Sequence, residues 1–222
     1  MIKVWIANVT PLLEEECYRA FYEKLPKFRK EKADAITAAH MEKRAQSVGA
    51  WSLWTQMKEK YGLPDEAVFN LSHSGSYVMC AAQMDKNCDC HARGNNSADV
   101  VRVGCDIEKI GSYRETLAER FFCKNEYETI LACKAEEERK KLFYRYWVLK
   151  ESFIKATREG MKMALDSFEI QLGNPPILIK QPERYPQQYY YREYEIRDVS
   201  YKMAVCSTDR EIDVIVETEL KI

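Results

Sequence analysis

In Val103-Gly104-Cys105-Asp106-Ile107-Glu108, apolar residues alternate with a glycine and two acids. This period of two predicts a strand with Val103, Cys105 and Ile107 on one face and Gly104, Asp106 and Glu108 on the other. Such a strand fits few surroundings. Its apolar face must be buried, and its two carboxylates stand about 7 Å apart at a rise of ~3.3 Å per residue. Gly104 leaves the acidic face bare beside them, so a second backbone or a ligand can come close. Like charges so placed repel unless a cation joins them. An oxygen-only pair suits Mg²⁺, which takes one or two carboxylates together with phosphate oxygens. The plain alternative is two solvated acids at a strand end.

The chain around this strand, 222 residues with 46% hydrophobic and 31% charged, can supply a substantial core, and a wholly disordered reading fails. Its 34 basic and 35 acidic residues give a net charge of -1, so nothing global attracts nucleic acid or a membrane surface. Any anion site must be local. No apolar run approaches the ~20 residues that span a bilayer, and Thr10-Pro11 ends the first apolar run before a secretory segment develops. A cytoplasmic protein is expected, with Cys17, Cys80, Cys105, Cys133 and Cys206 as small hydrophobes in a reducing compartment.

Along the chain, Val4 to Ala7 reads as a strand, and Thr10 to Tyr22 shifts to helical spacing with Leu13, Cys17, Ala20 and Phe21 on one side. Lys27 to Trp54 reads as one or two helices, closed by Gly62 and Pro64. Two strands, Val68 to Ser72 and Tyr77 to Ala82, flank a Ser-His-Ser-Gly turn. Met84 to Asp99 is polar and reads as an exposed, mobile excursion. After the strand at 103–108, Tyr113 to Phe122, Lys124 to Lys134 and Phe143 to Glu159 read as helices. Strands follow at Phe168 to Leu172, Ile177 to Lys180, Tyr189 to Glu195 and Tyr201 to Cys206. Ser76-Tyr-Val-Met-Cys is echoed by Ser200-Tyr-Lys-Met-Ala-Val-Cys, and both halves run helices then strands. That order predicts two α+β modules side by side.

Three further segments can carry chemistry. On a helix, Trp147, Glu151 and Lys155 fall four residues apart on one stripe, with Lys150 beside it. Taken with the acidic strand, they offer a third carboxylate for a divalent ion and an ammonium for phosphate charge, which a phosphoryl-transfer site requires. Alone, the stripe is a core Trp beside an ordinary Glu–Lys pair. In Asn70-Leu-Ser72-His73-Ser74-Gly75, a turn with hydroxyls, an imidazole and free N–H groups can cradle an anion. The basic cluster Lys27, Arg29, Lys30 and Lys32, with Arg44 downstream, is either a solvated helix face or a phosphate clamp. Cys88-Asp-Cys90-His91 invites a zinc reading, which the absence of paired Cys-x-x-Cys spacing opposes.

In order and content, Asn-Leu-Ser-His-Ser at 70–74, Val-Gly-Cys-Asp-Ile-Glu at 103–108, Arg-Phe-Phe-Cys-Lys-Asn-Glu-Tyr at 120–127 and Trp-Val-Leu-Lys-Glu-Ser-Phe-Ile-Lys at 147–155 resemble the 4′-phosphopantetheinyl transferases. The likeness is to the subtype that activates surfactin synthetase, and it spans almost the whole chain. It implies two similar α+β halves, 1–100 and 101–222, related by a pseudo-twofold axis, in a monomer with coenzyme A in the cleft between them. It further implies Mg²⁺-dependent transfer of the phosphopantetheine arm to a serine of an apo acyl or peptidyl carrier protein, with release of 3′,5′-adenosine diphosphate; Mn²⁺ is an alternative ion. By matching position, Asp106, Glu108 and Glu151 would hold the metal, and Glu151 would also help deprotonate the serine. Lys155 would neutralise phosphate charge. Ser72 and His73 would meet coenzyme A phosphates, while Arg29, Lys32 and Arg44 would meet the 3′-phosphate end. Carrier docking would fall near Ser112 to Tyr127. Two departures stand out: Lys60-Tyr-Gly62-Leu63-Pro64 lacks the Lys of the family's Gly-Lys-Pro element, and the 85–99 loop is long. The competing readings are a Mg²⁺-dependent nuclease or phosphohydrolase, which the missing basic stripe opposes, and a coenzyme A or carrier-binding module without turnover.

Overall fold

Residues 1–37, 39–84, 101–113 and 115–222 are described by the computed structural model. The 85–99 loop, with Cys88, Cys90 and His91, lies outside the described residues. One plan is used twice. First come β1 (Ile2–Asn8), α1 (Glu15–Glu23), α2 (Lys27–Asp34), α3 (Met41–Tyr61), β2 (Phe69–Ser74) and β3 (Tyr77–Gln83). The second pass runs β4 (Val103–Lys109), α4 (Glu115–Phe121), α5 (Lys124–Leu131), α6 (Glu136–Thr157), the pair β5 (Glu169–Gln171) and β6 (Ile177–Lys180), then β7 (Tyr190–Tyr194) and β8 (Tyr201–Ser207). The sheets repeat the same antiparallel order, β2-β3-β1 in one and β7-β8-β4 in the other. The echoed Ser-Tyr segments thus lead into the central strand of each sheet, and the Tyr77 and Tyr201 rings meet edge to face at 5.0 Å. The class is α+β.

Alternation decides the layering. Ile2, Val4, Ile6, Met79 and Ala81 of the first sheet face Val103, Cys105, Ile107, Met203 and Val205 of the second in one buried core. The opposite face of the first sheet, through Trp5, Ala7, Val78 and Cys80, packs on Leu53, Trp54 and Met57 of α3. The opposite face of the second, through Tyr191, Ala204 and Cys206, shares a core with Val148, Leu149 and Phe153 of α6. The result is helix, sheet, sheet, helix. Among the described residues no helix is long and apolar enough to cross a membrane.

The structure departs from periodicity at three places. Pro11 opens a 3-10 turn over Thr10–Leu13, so Leu12 is buried and Leu13 is 42% exposed. The tighter turn shifts the phase on which an inward Leu13 depends. Helix α6 starts at Glu136, two turns before Phe143, with Glu136, Glu137 and Glu138 in its first turn, where acids complement the helix dipole. Finally, β9 (Ile212–Thr218), to which sequence analysis assigns no strand, pairs in parallel with β1. Its outer edge meets β7, whose Tyr194 hydroxyl donates to the Asp213 carbonyl at 2.7 Å and whose Arg192 donates to the Ile212 carbonyl at 2.5 Å.

Candidate active site

Gly104 sets the site. A Cβ there would run into the Ser152 carbonyl and the Ala156 nitrogen, so the backbone of α6 lies directly against β4. The close approach foreseen for the bare face is therefore made by a helix. It carries Glu151 and Lys155 alongside the acidic face of β4. Lys155 Nζ sits 2.6 Å from Asp106 Oδ1 and donates to Ser72 Oγ at 2.8 Å. Asp106 is only 3% exposed, and its Oδ2 is buried without a hydrogen-bond partner.

Charge and burial compete here. Burial raises the Asp106 carboxyl above its ordinary range, against the opposing pull of Lys155 and Ser72. Glu108, which accepts a hydrogen bond from Ser74 Oγ at 2.8 Å, is raised to about 7, first by burial and then by Asp106, with a further contribution from Glu151. Glu151 is half-buried, has no hydrogen-bond or ion-pair partner among the described residues, and is raised by burial and by Asp106 against Lys155. Burial draws the Lys155 ammonium down, but Asp106, Cys105 and Glu151 outweigh it and leave it above its ordinary value. Asp106, Glu108 and Glu151 thus act on one another, yet among the described residues no three His, Cys, Asp or Glu side chains form a ready metal cage. The Lys155 ammonium supplies the positive charge at Asp106. The donor set nevertheless fits a hard cation: every donor is oxygen, one is an orphaned buried carboxylate atom, and the acids disfavour one another's charge.

The anion cradle takes another form than expected. Ser72, His73 and Ser74 are not in a turn; they lie on β2, paired with Met79, Val78 and Tyr77, and only Gly75 and Ser76 make the turn. Ser72 is 5% exposed and donates its one hydroxyl hydrogen to Asp106 Oδ1 at 2.9 Å. None remains for a phosphate. His73 projects from the other face of β2 and is exposed; the surrounding protein, then Lys155 and to a lesser degree Arg29, lower its pKa. Arg29 stands over the Trp51 ring at 5.0 Å and donates to the Ser47 carbonyl at 3.1 Å, with its Nε buried and unpartnered. Arg44 instead lies over the Tyr18 ring at 4.6 Å, and Lys32 is exposed on α2. Lys150, beside the stripe in sequence, is fully buried against Glu126 and is no part of the site.

Next to Glu151 a pocket of ≈ 540 Å³ is walled by Phe121, Trp147, Ile154 and Met163, with Arg120 and Asp166 also in its lining. Of the neighbouring phenylalanines, Phe121 lines this pocket and Phe122 is core, 4% exposed and stacked on Phe143. Sequence analysis has Asn70 only as the head of the expected anion cradle and Tyr201 only as the start of a strand, and Gln46 carries no expectation; all three brace β2 and its turn. The small polar residues at 70, 72 and 74, every second position, are the signal that points to such a brace.

The model of the 4′-phosphopantetheinyl transferase superfamily matches residues 102–206. The chain is 34% identical over 207 residues to the 4′-phosphopantetheinyl transferase Sfp of Bacillus subtilis (strain 168), covering 91% of this chain and 84% of that protein. It is 34% identical over 199 residues to the 4′-phosphopantetheinyl transferase ffp of Bacillus subtilis, covering 87% and 79%. A solved holo-[acyl-carrier-protein] synthase from Thermotoga maritima aligns at TM-score 0.40 and 21% identity, over 49% of this chain and 63% of that one.

Proposed function

Since this chain belongs to the 4′-phosphopantetheinyl transferase superfamily and transfers the phosphopantetheine of coenzyme A to a carrier protein, we propose that its reaction centre is the place where Asp106 and Glu108 of β4 meet Glu151 and Lys155 of α6. In this reading a serine hydroxyl of an apo acyl or peptidyl carrier attacks the β-phosphorus of coenzyme A. The serine O–P bond forms, the bond to the bridging oxygen breaks, and 3′,5′-adenosine diphosphate leaves with the electron pair. Glu151 takes the serine proton, a role supported by its half-buried carboxylate, which has no competing partner among the described residues and a raised pKa. Lys155 offsets phosphate charge from its place beside Asp106. Asp106 Oδ2, Glu108 and Glu151 are the oxygens assigned to Mg²⁺, or Mn²⁺, which when bound adds Lewis-acid neutralisation of the diphosphate.

His73 and Arg29, electrostatically coupled across β2 and α2, are assigned to coenzyme A phosphates, with exposed Lys32 and with Arg44, once it leaves Tyr18, at the 3′-phosphate end. Ser72 acts there only through Asp106 and Lys155. The protein is taken as a cytoplasmic monomer with halves at 1–100 and 101–222, the second carrying the reacting end. The meeting of two β4 acids with Glu151 and Lys155 of α6 is the observation on which this reading stands. Incubation with coenzyme A, Mg²⁺ and an apo carrier tests it by mass spectrometry. A phosphopantetheine mass gain on the carrier is expected, and phosphodiester cleavage without that gain would favour a hydrolase.

A pH dependence follows from Glu108. Its folded pKa, about 7, lies above the 4.5 of an ordinary Glu, so between those values the folded state binds the extra proton. Stability from this group is therefore present at low pH and lost as pH rises toward and through 7. A divalent cation favours the ionised carboxylate. Addition of Mg²⁺ is expected to raise Tm more at pH 8 than at pH 6, and EDTA to reverse the gain. Equal shifts at the two pH values, read by differential scanning fluorimetry, would remove Glu108 from the cation's donors.

A further inference from the structure

β4 is an edge strand of its sheet, and the N–H groups on its free side are taken up in an unusual way. Asn70 Oδ1 accepts from Cys105 N at 3.0 Å, Ser72 Oγ from Ile107 N at 3.4 Å and Ser74 Oγ from Lys109 N at 3.0 Å. Three short side chains of β2, two residues apart, stand where a neighbouring strand's carbonyls would be. A slip of one residue would present Leu71 and His73 instead, so this seam fixes how β2 lies against β4. Each hydroxyl has a single hydrogen, and both are spent on acids: Ser72 on Asp106 at 2.9 Å and Ser74 on Glu108 at 2.8 Å.

We propose that Ser74 is a positioning residue that holds the Glu108 carboxylate in place for a divalent cation. Asp106 has Lys155 and Ser72 as anchors, whereas Ser74 supplies the side-chain hydrogen bond made to Glu108. Ser74 is itself held firmly. The turn after it is gripped from both halves: buried Gln46 of α3 donates to the Gly75 carbonyl at 2.7 Å, and Ser76 N donates to the Tyr201 hydroxyl of β8 at 2.9 Å. Gly75 has φ +51°, and a Cβ there would strike that same hydroxyl, so the turn requires glycine and fits closely against Tyr201. Loss of the Ser74 hydroxyl leaves Lys109 N to water, because that end of β4 is exposed. The effect therefore falls on Glu108.

The inference rests on the reading of Glu108 as a cation donor, and the experiment separates the two. Mn²⁺ binding to the full-length protein with coenzyme A is followed by electron paramagnetic resonance, in parallel with Tm and with kcat at saturating Mn²⁺. Ser74→Ala is expected to weaken Mn²⁺ binding about tenfold, the scale of a hydrogen bond to a charged group, while kcat at saturation stays within about threefold. Ser74→Thr restores the affinity. Ser74→Cys, a poor donor of similar size, weakens it like alanine and serves if the alanine variant does not fold. Unchanged affinity in a folded Ser74 variant, with Glu108→Gln weakened, overturns the positioning role. Unchanged affinity in Glu108→Gln as well overturns the assignment of Glu108 itself.

Discussion

Glu151→Gln is expected to slow arm transfer by about 10³-fold, within the 10²–10⁴ range of a lost general base, while Tm and coenzyme A affinity stay close to those of the parent. The reason lies in what surrounds the side chain. Glu151 forms no hydrogen bond or ion pair among the described residues, so glutamine breaks no interaction that holds the fold. What the substitution removes is the ability to accept a proton, and with it a charged donor for the proposed cation, at a carboxylate whose basicity is already raised by burial and by the charge of Asp106. It lines the apolar pocket walled by Trp147 and Ile154 and feels the charges of the Lys155–Asp106 pair, the place that the proposed reading gives to the carrier's serine. Single-turnover transfer to an apo carrier, followed by mass, measures the effect. A rate within about threefold of the parent would leave Glu151 without a proton-transfer role.

The second large effect is on stability. Lys150→Met is expected to cost about 3–5 kcal/mol, the usual loss when one member of a buried ion pair is removed, or roughly 10 °C in Tm at ~2–4 °C per kcal/mol for a chain of this size. Lys150 and Glu126 are 0% and 1% exposed and 2.8 Å apart. Lys150 also donates to the Leu165 and Phe168 carbonyls, both at 2.8 Å, so all three of its N–H groups are used. Glu126 in turn accepts from Cys123 N and Ile170 N, both at 2.9 Å. Methionine matches the length but leaves a carboxylate and two carbonyls short of a partner in a dry site. Because Leu165 and Asp166 line the pocket beside Glu151, transfer should fall as well. Chemical denaturation reads the first effect, and a loss below about 1 kcal/mol would show the pair to be dispensable.

These two residues, neighbours in sequence, show where sequence reasoning reaches and where it stops. The stripe Trp147, Glu151, Lys155 and the acidic face of β4 follow from periods of 3.6 and 2, which belong to the local backbone and survive folding unchanged. Lys150, one residue earlier, has the same composition as a surface lysine. Only the arrival of α5 with Glu126, a tertiary event, makes it a core residue. The same distinction explains β9: Val214-Ile215-Val216 is β-branched enough for a strand, but its stability comes from pairing with β1 at the far end of the chain. Ser72 to Ser74 read as a cradle because Ser, His and Gly favour turns. Pairing with β3 overrides that preference and turns their side chains toward β4 and away from it in alternation. That Lys155 selects Asp106 was likewise beyond spacing, since Glu151 on its own helix was an equally good candidate.

The repeated strand order has one more consequence. If Tyr77 is laid on Tyr201, the ladder registers place Trp5 where the second half has Asp106, and Ala7 where it has Glu108. The same superposition puts Arg192 and Tyr194 in the places of Asn70 and Ser72. Long side chains there span to the carbonyls of β9, whereas short ones on β2 let β4 draw near. One copy of the motif thus carries an indole, a methyl and an inserted strand where its twin carries two acids. Duplication has left the two halves with opposite chemistry at equivalent places, hydrocarbon packed on α3 in the first and carboxylates beside α6 in the second.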